Sequence, residues 1–541
     1  MPVVFLIAIL LFLPKALLAA DVLIHHANGY ADTEQRFNWM TIHDGRVVAI
    51  GNGEVPPAEY SSVFDMQGKT LMPGLIDAHG HVLGLGQYRI RVDLVGSDSL
   101  QTALGRVTEQ APPGTGWVLG RGWNQVLWPG KKFPTAADLD RVMADRPVWL
   151  RRIDGHAGWA NTRALQIAGI DNATPDPVGG EIHRDAEGNA SGIFVDAAMA
   201  LIDQHIARPS DHEVRYALDV ALKELNSLGI TSVHDAGVDT QTLMVYKRMV
   251  DDGELSVRIY AMISDAGEHL DAIGKPLLSY GDDRLTARSV KLYIDGALGS
   301  RGAAMISDYC DEPGNKGLVF SGQDELDRMV WKALGMGFQV GIHAIGDLGN
   351  RMALDAFAKA QRGDSVRYRN RIEHAQIVAL EDIPRFAGLG VIASMQPVHA
   401  TSDKNMAADR VGEKRLAGGY AWRKFLDSGA VIAAGSDFPV EYANPFHGIY
   451  AAVTRMDQNG EPTGGWYPGE RMTLPEAVRA FTIDAAYAAF QENDLGELRP
   501  GKWADFIVLD RDLFKVDEAE LWQIQVEETW LAGVRVFPAN E

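Results

Sequence analysis

The sequence predicts an α/β fold: a (β/α)8 TIM barrel, a composite β-sandwich domain drawn from both termini, and an insertion after barrel strand 1. Three observations predict it. Short apolar runs of strand length alternate with helical patterns through the middle of the chain. Both ends carry similar short β segments punctuated by Gly and Asn. Between about residues 88 and 209 the alternation stops.

Composition bounds the function classes. The 541 residues are 46% hydrophobic and 23% charged, ordinary for a globular chain with ample core. A net charge of -21 with no basic run argues against a nucleic-acid partner, because binding the phosphate backbone needs a positive patch. Cys310 is the only cysteine, so no intramolecular disulfide can form.

Taken in order, the first segment is apolar from Val3 to Leu13, then Pro14-Lys15, then small residues up to Ala20. Residues 1–20 read as a secretory signal peptide whose apolar core is too short for a comfortable bilayer span. Its amino-terminal region has no lysine or arginine, so an uncleaved anchor and a mis-called start stay open. Cleavage predicts an exported protein, periplasmic or secreted, with no stable membrane partner; a mis-called start predicts a cytoplasmic one.

Residues 21–70 with 488–541 form the predicted composite β domain, from runs such as Gly45–Gly51 and Gly501–Asp510. Residues 71–487 hold the barrel. Its strands are predicted at Thr70–Asp77, Ile230–His234, Val257–Ile263, Val290–Asp295, Phe338–His343, Arg371–His374, Val391–Ser394 and Val431–Ser436. Helices are predicted at Glu213–Leu228, Gln323–Leu334 and Arg351–Lys359. The insertion carries Arg121-Gly-Trp123, Trp128 and Asp154-Gly-His156. Its aromatic and polar content suits a substrate lid, although aromatics in such a segment more often form a small core of its own.

In a parallel barrel, chemistry sits at the C-terminal ends of the strands. The first strand ends in Asp77-Ala-His79-Gly-His81, where side chains two apart in an extended strand point to one side. Neutral imidazole is a common ligand for zinc and similar ions. His343, His374 and Asp437 likewise close apolar runs, and Lys291 lies inside one, where an unpaired ammonium is costly. Each has a bland alternative: a hydrogen-bonded core histidine, a turn-forming Asp437, or a Lys291 that snorkels outward or pairs with Asp295.

Together, Asp77-Ala-His79-Gly-His81, Lys291, His343, His374 and Asp437 resemble the amidohydrolase superfamily of metal-dependent hydrolases. Lys291–Arg301, His343-Ala-Ile-Gly-Asp347, Ile372-Glu-His-Ala-Gln376, Met395-Gln-Pro397 and Gly435-Ser-Asp-Phe-Pro439 are similar to its YtcJ-like branch, which includes N-substituted formamide deformylases. So are Arg121-Gly-Trp123 and Asp154-Gly-His156. The resemblance runs from about residue 21 to the end.

The resemblance implies one or two divalent metals, zinc foremost. His79, His81 and Asp437 would hold one, and His343 with His374 the other. Lys291, carboxylated on its amine, would bridge both. It further implies hydrolysis of a linear C–N bond in a small-molecule amide or N-substituted formamide by metal-activated water, with Asp437 as the catalytic proton carrier. Cyclic-amide hydrolysis or deamination in the same site is the alternative, and a non-catalytic regulatory protein on the same fold a third reading. His156, Arg301 and His399 are candidates for substrate contact and equally for structural roles. A homo-oligomer is compatible with the sequence.

Overall fold

A computed structural model describes residues 21–152, 157–177, 180–361 and 365–539. The apolar segment 1–20 and His156 lie outside the described residues. The chain divides into two compact units: one runs through Gly80 and takes in Leu225–Val238 and everything from Leu255 onward, and the other comprises His81–Glu224 and Asp239–Glu254.

The first unit contains eight parallel strands in sequential order: β1 (Leu75–Gly80), β2 (Ile230–Val238), β3 (Arg258–Ile263), β4 (Leu285–Tyr293), β5 (Gln339–Ala344), β6 (Arg371–His374), β7 (Ile392–Met395) and β8 (Ile432–Ala434). Each pairs with the next in a nearly closed barrel. The strands read as continuous apolar runs because both faces are covered; every residue of β1, β3, β6, β7 and β8 is buried. Amphipathic helices occupy the predicted intervals of this unit at Gln323–Gly335 and Asp347–Gln361, and the predicted helix Glu213–Leu228 is found at Asp211–Ser227, most of it in the second unit. In Gln323–Gly335, Leu326, Val330, Ala333 and Leu334 face inward at helical spacing.

The two termini share a single eight-stranded sheet. In it, Thr70–Pro73 pairs antiparallel with Phe506–Leu509 and parallel with Val22–Tyr30. Ile24, Phe37, Met40, Leu71, Phe506, Val508 and Trp530 form its buried core. Arg258 of β3 ties this sheet to the barrel through a bidentate pair with Asp505, at 2.6 and 3.1 Å.

The predicted first strand Thr70–Asp77 is in fact two strands in two sheets. The division falls at Pro73-Gly74. Gly74 N–H donates to Asp505 O on the terminal side, and the next N–H, of Leu75, donates to Gly229 O at the foot of β2. A Cβ at position 74 would lie 2.3 Å from Thr231 Oγ1, so only glycine lets the chain pass between the layers. An apolar run hides such a change of partner, since both halves are equally buried.

The second unit is organised on a six-stranded sheet ordered Gly180–Arg184, Ala190–Asp196, Ala157–Ala160, Val148–Arg152, Val118–Trp123, Val92–Asp93. Trp123, Trp128 and Trp159 are buried against one another, with ring centroids 6.2 to 6.3 Å apart. Their indole N–H groups donate to the carbonyls of Leu150, Ser97 and Thr135. These aromatics build the unit's own core. Among the described residues no helix is long and apolar enough to cross a membrane.

Candidate active site

The C-terminal ends of β1, β4, β5, β6 and β8 bring His79, Lys291, His343, His374 and Asp437 into one buried cluster. The His374 ring centroid lies 4.7 Å from that of His79 and 4.6 Å from that of His343. Lys291 Nζ lies 3.3 Å from His79 Nε2, and Asp437 Oδ1 lies 3.6 Å from the same nitrogen. His81 follows Gly80 directly, and His79, His81 and Asp437 can each present one ligand atom within 4.8 Å of the others. His374, His399 and Asp437 can do the same.

Local backbone geometry fixes these positions. Asp437 N–H donates to the His79 carbonyl at 2.7 Å, clipping the end of β8 to β1. Buried Asp77 completes the clip by accepting from Ser436 Oγ–H at 2.6 Å, from Ser436 N–H and from His79 N–H. A Cβ at Gly80 would meet the Phe438 ring at 2.3 Å, so the glycine between the paired histidines is required sterically. His374 (φ 75°) and Asp437 (φ 62°) both hold left-handed backbone, strain of the kind found where function dictates geometry.

Each imidazole is held by a specific partner. His79 Nδ1 faces Glu373 Oε2 at 2.5 Å, and Glu373 is itself gripped by Arg371. His374 Nδ1 faces Gln396 Oε1 at 2.8 Å. Both partners are oxygen acceptors, which places the proton on Nδ1 and the free lone pair on Nε2. His343 is turned the other way: its buried Nε2 looks towards Asp295 Oδ1 at 3.5 Å.

Burial keeps these rings neutral. It pushes His79 down to about 4, and the Lys291 charge adds to the effect. It pushes His343 down to about 3, again with Lys291 and His79 adding. His374 lies well below the usual histidine range through burial and its two neighbouring rings. Lys291 is pulled down to about 8 by burial, against the opposing charges of Glu373 and Asp437. Burial alone would raise Glu373, but the charge of Arg371, with His79 and Lys291, outweighs it and holds the carboxylate far below its ordinary range.

Lys291 neither snorkels nor pairs with Asp295. It is 1% exposed, with Tyr293's ring 4.7 Å from Nζ. Asp295 instead accepts from the N–H groups of Ala304, Ile345 and Gly346. Arg301 is engaged elsewhere, in a bidentate pair with Asp311 and a second contact to Glu312. His399 joins the cluster, its ring 6.0 Å from His374 and its Nε2 3.6 Å from Asp437 Oδ2.

Sequence reasoning passed over Glu373 and Arg371 as site residues. The signal was there: opposite charges two apart in an apolar strand lie on one face and must be buried together.

The amidohydrolase family model matches residues 62–537. Among curated relatives, Protein LONG AFTER FAR-RED 3 of Arabidopsis thaliana is 34% identical, over 97% of this chain and 93% of its own length. The putative amidohydrolase YtcJ of Bacillus subtilis is 31% identical, over 92% and 95%. An N-substituted formamide deformylase of Arthrobacter pascens is 29% identical, over 92% and 94%. Among solved structures, an uncharacterized metal-dependent hydrolase from Pyrococcus horikoshii superposes with a TM-score of 0.77 at 28% identity, covering 92% of this chain and 99% of that one. A barrel with histidines, a lysine and an aspartate gathered at its strand ends, matched from end to end by such relatives, belongs to the amidohydrolase family.

Proposed function

We propose that this chain is a metal-dependent hydrolase that cleaves a linear C–N bond, an amide or N-substituted formamide, in a small molecule. One observation carries the metal: His79, a neutral buried imidazole with Nδ1 tied to Glu373, aims Nε2 at the Asp437 carboxylate, and His374, with Nδ1 tied to Gln396, can offer a ligand atom within 4.8 Å of the same carboxylate, a donor set that suits a divalent cation of the zinc type. His79, His81 and Asp437 would hold one ion, and His343 with His374 a second. A divalent ion so held would lower the pKa of water from 15.7 towards about 7 and would polarise a carbonyl.

The protein's own groups supply the rest. Asp437 is placed to take a proton from the attacking water and return it to the leaving nitrogen. Glu373 fixes the tautomer of His79, and Arg371 fixes Glu373. Lys291, pulled towards the neutral amine, suits carboxylation: its nitrogen would bond to the carbon of CO2, release a proton and carry an anionic oxygen donor beside His79. That change would relieve the cost of a buried ammonium.

The choice of a linear C–N bond rests on the deformylase relative, whose name specifies N-substituted formamides. Ring opening or deamination in the same pocket is the competing chemistry. The test is zinc-loaded protein assayed side by side on N-substituted formamides, cyclic imides and aminated heterocycles. Formate or free amine from the first set supports the proposal. Turnover confined to the other two replaces it. We further propose export by the segment 1–20, tested by mass spectrometry of the mature N-terminus; a retained Met1 counts against cleavage.

A further inference from the structure

Two glutamines set two neighbouring histidines in opposite tautomers. Gln396 Nε2 donates to Ser394 O, which turns its Oε1 towards His374 Nδ1. His374 therefore carries its proton on Nδ1 and offers a lone pair at Nε2. Gln376 presents its Nε2 to His399 Nδ1, at 3.0 Å. With the amide set this way its N–H donates, Nδ1 of His399 accepts and the ring proton sits on Nε2, an arrangement that leaves Gln376 Oε1 buried without a hydrogen-bond partner. That Nε2 is buried and makes no hydrogen bond within the protein, and Asp437 Oδ2 lies 3.6 Å in front of it. The ring cannot turn away: it is 7% exposed, stacked on His374 at an interplanar angle of 21°, and carried by the helix Pro397–Asp403.

An N–H aimed at a carboxylate is a donor to that carboxylate, and a nitrogen that carries a proton has no lone pair for a metal. We propose that His399 is not a metal ligand, although it lies within ligand distance of His374 and Asp437, but a positioning residue that donates through Nε2 to Asp437 Oδ2. The donation would leave Oδ1, the oxygen nearer His79, for the ion and the attacking water. It also fixes which face of Asp437 receives the transferred proton. Contacts of this kind are commonly long in the resting site and tighten once substrate is bound. The inference rests on the hydrolase reading above for the role of Asp437, but its metal-binding half stands without it.

The test uses the full chain as His399→Leu, His399→Gln and, as a ligand control, His374→Gln. Each is stripped of metal and titrated with zinc alone against a chromophoric chelator, with thermal melting to confirm folding. His399→Leu is expected to keep the wild-type zinc affinity, and His374→Gln to lose about tenfold or more. On a formamide the wild type hydrolyses, His399→Leu is expected to lose about 10- to 100-fold in kcat with KM little changed. His399→Gln, whose amide restores an N–H near the position of Nε2, should recover most of that loss. Zinc loss in folded His399→Leu would make His399 a ligand and overturn the proposal. A rise in KM with kcat intact would make it a substrate contact, with the same consequence. If His399→Leu does not fold, failure of His399→Gln to restore kcat while holding zinc is equally decisive. Wild-type protein that binds no zinc overturns both this inference and the hydrolase reading, whereas zinc binding without amide turnover defeats the latter alone.

Discussion

Glu373 Oε2 lies 2.5 Å from His79 Nδ1, and both side chains are wholly buried. The carboxylate is the joint between the barrel's internal charge, Arg371, and the His79 ring proposed to hold a metal. Glu373→Gln keeps the shape, removes the charge and leaves Arg371 short of a partner. Zinc affinity is expected to fall about 10- to 100-fold, the usual cost of losing a partner behind a ligand. Competition titration with a chromophoric chelator checks it, and an unchanged affinity would mean His79 needs no such support.

In the proposed mechanism Asp437 carries the proton, and one of its oxygens would suffice to hold an ion. Asp437→Asn should reduce kcat by about 10²- to 10⁴-fold while bound metal stays close to the wild-type level. Metal analysis alongside steady-state kinetics reads both. Wild-type turnover by this variant would remove Asp437 from the chemistry.

The pH dependence of stability follows from the buried rings. His79 and His343 take up protons only near about 4 and about 3, whereas the unfolded chain takes them up near 6.5. Between those values the unfolded state binds more protons, so stability is lost as pH falls from 6.5 towards about 4. His234 and His374, also depressed by burial, add to the same trend. Asp77 and Asp295, raised from 3.8 to about 7 by burial, act in the opposite sense, losing their stabilisation as pH rises between those values, and burial raises Asp347, Asp403 and Asp484 as well. The ring contribution is read by difference: the urea midpoint of the metal-free wild type, less that of metal-free His79→Gln, should rise between pH 4.5 and 6.5, and a flat difference would contradict a neutral His79.

Arg258 and Asp505 form a buried pair between barrel strand β3 and the terminal sheet, and Asp505 also accepts from Ala532 N–H. Asp505→Ala strands a guanidinium that is 1% exposed. The loss expected for one partner of a buried pair is about 3–5 kcal/mol, measured by urea denaturation. Replacing both residues by apolar ones should cost less than this single change.

The barrel was legible because its strands are continuous apolar runs of the right length, and the ligand candidates because each closes such a run. Whereas His374 is preceded by the charged Arg371 and Glu373 of its own short strand, His79, His343 and Asp437 announce themselves by a change from apolar to polar near a strand end. Their supports do not. Gln376 and Gln396 are ordinary polar residues, and nothing local says which end of each amide faces a ring. Asp295 stands close enough to Lys291 in sequence to suggest a pair, yet three backbone N–H groups claim its oxygens first. The break at Gly74 was hidden for a similar reason: burial is the same on either side, and only the hydrogen-bond partner changes.

That break has a bearing on how the molecule assembles during synthesis. Thr70–Pro73 needs Phe506–Leu509 beside it, so strands made early on the ribosome wait for nearly the whole chain to emerge. Until then one edge of the early sheet stays open, a template for mispairing with other nascent chains. The barrel strands, added in sequential order, meet their neighbours as they appear; the strand that carries Asp437 to the His79 carbonyl is made last of the eight.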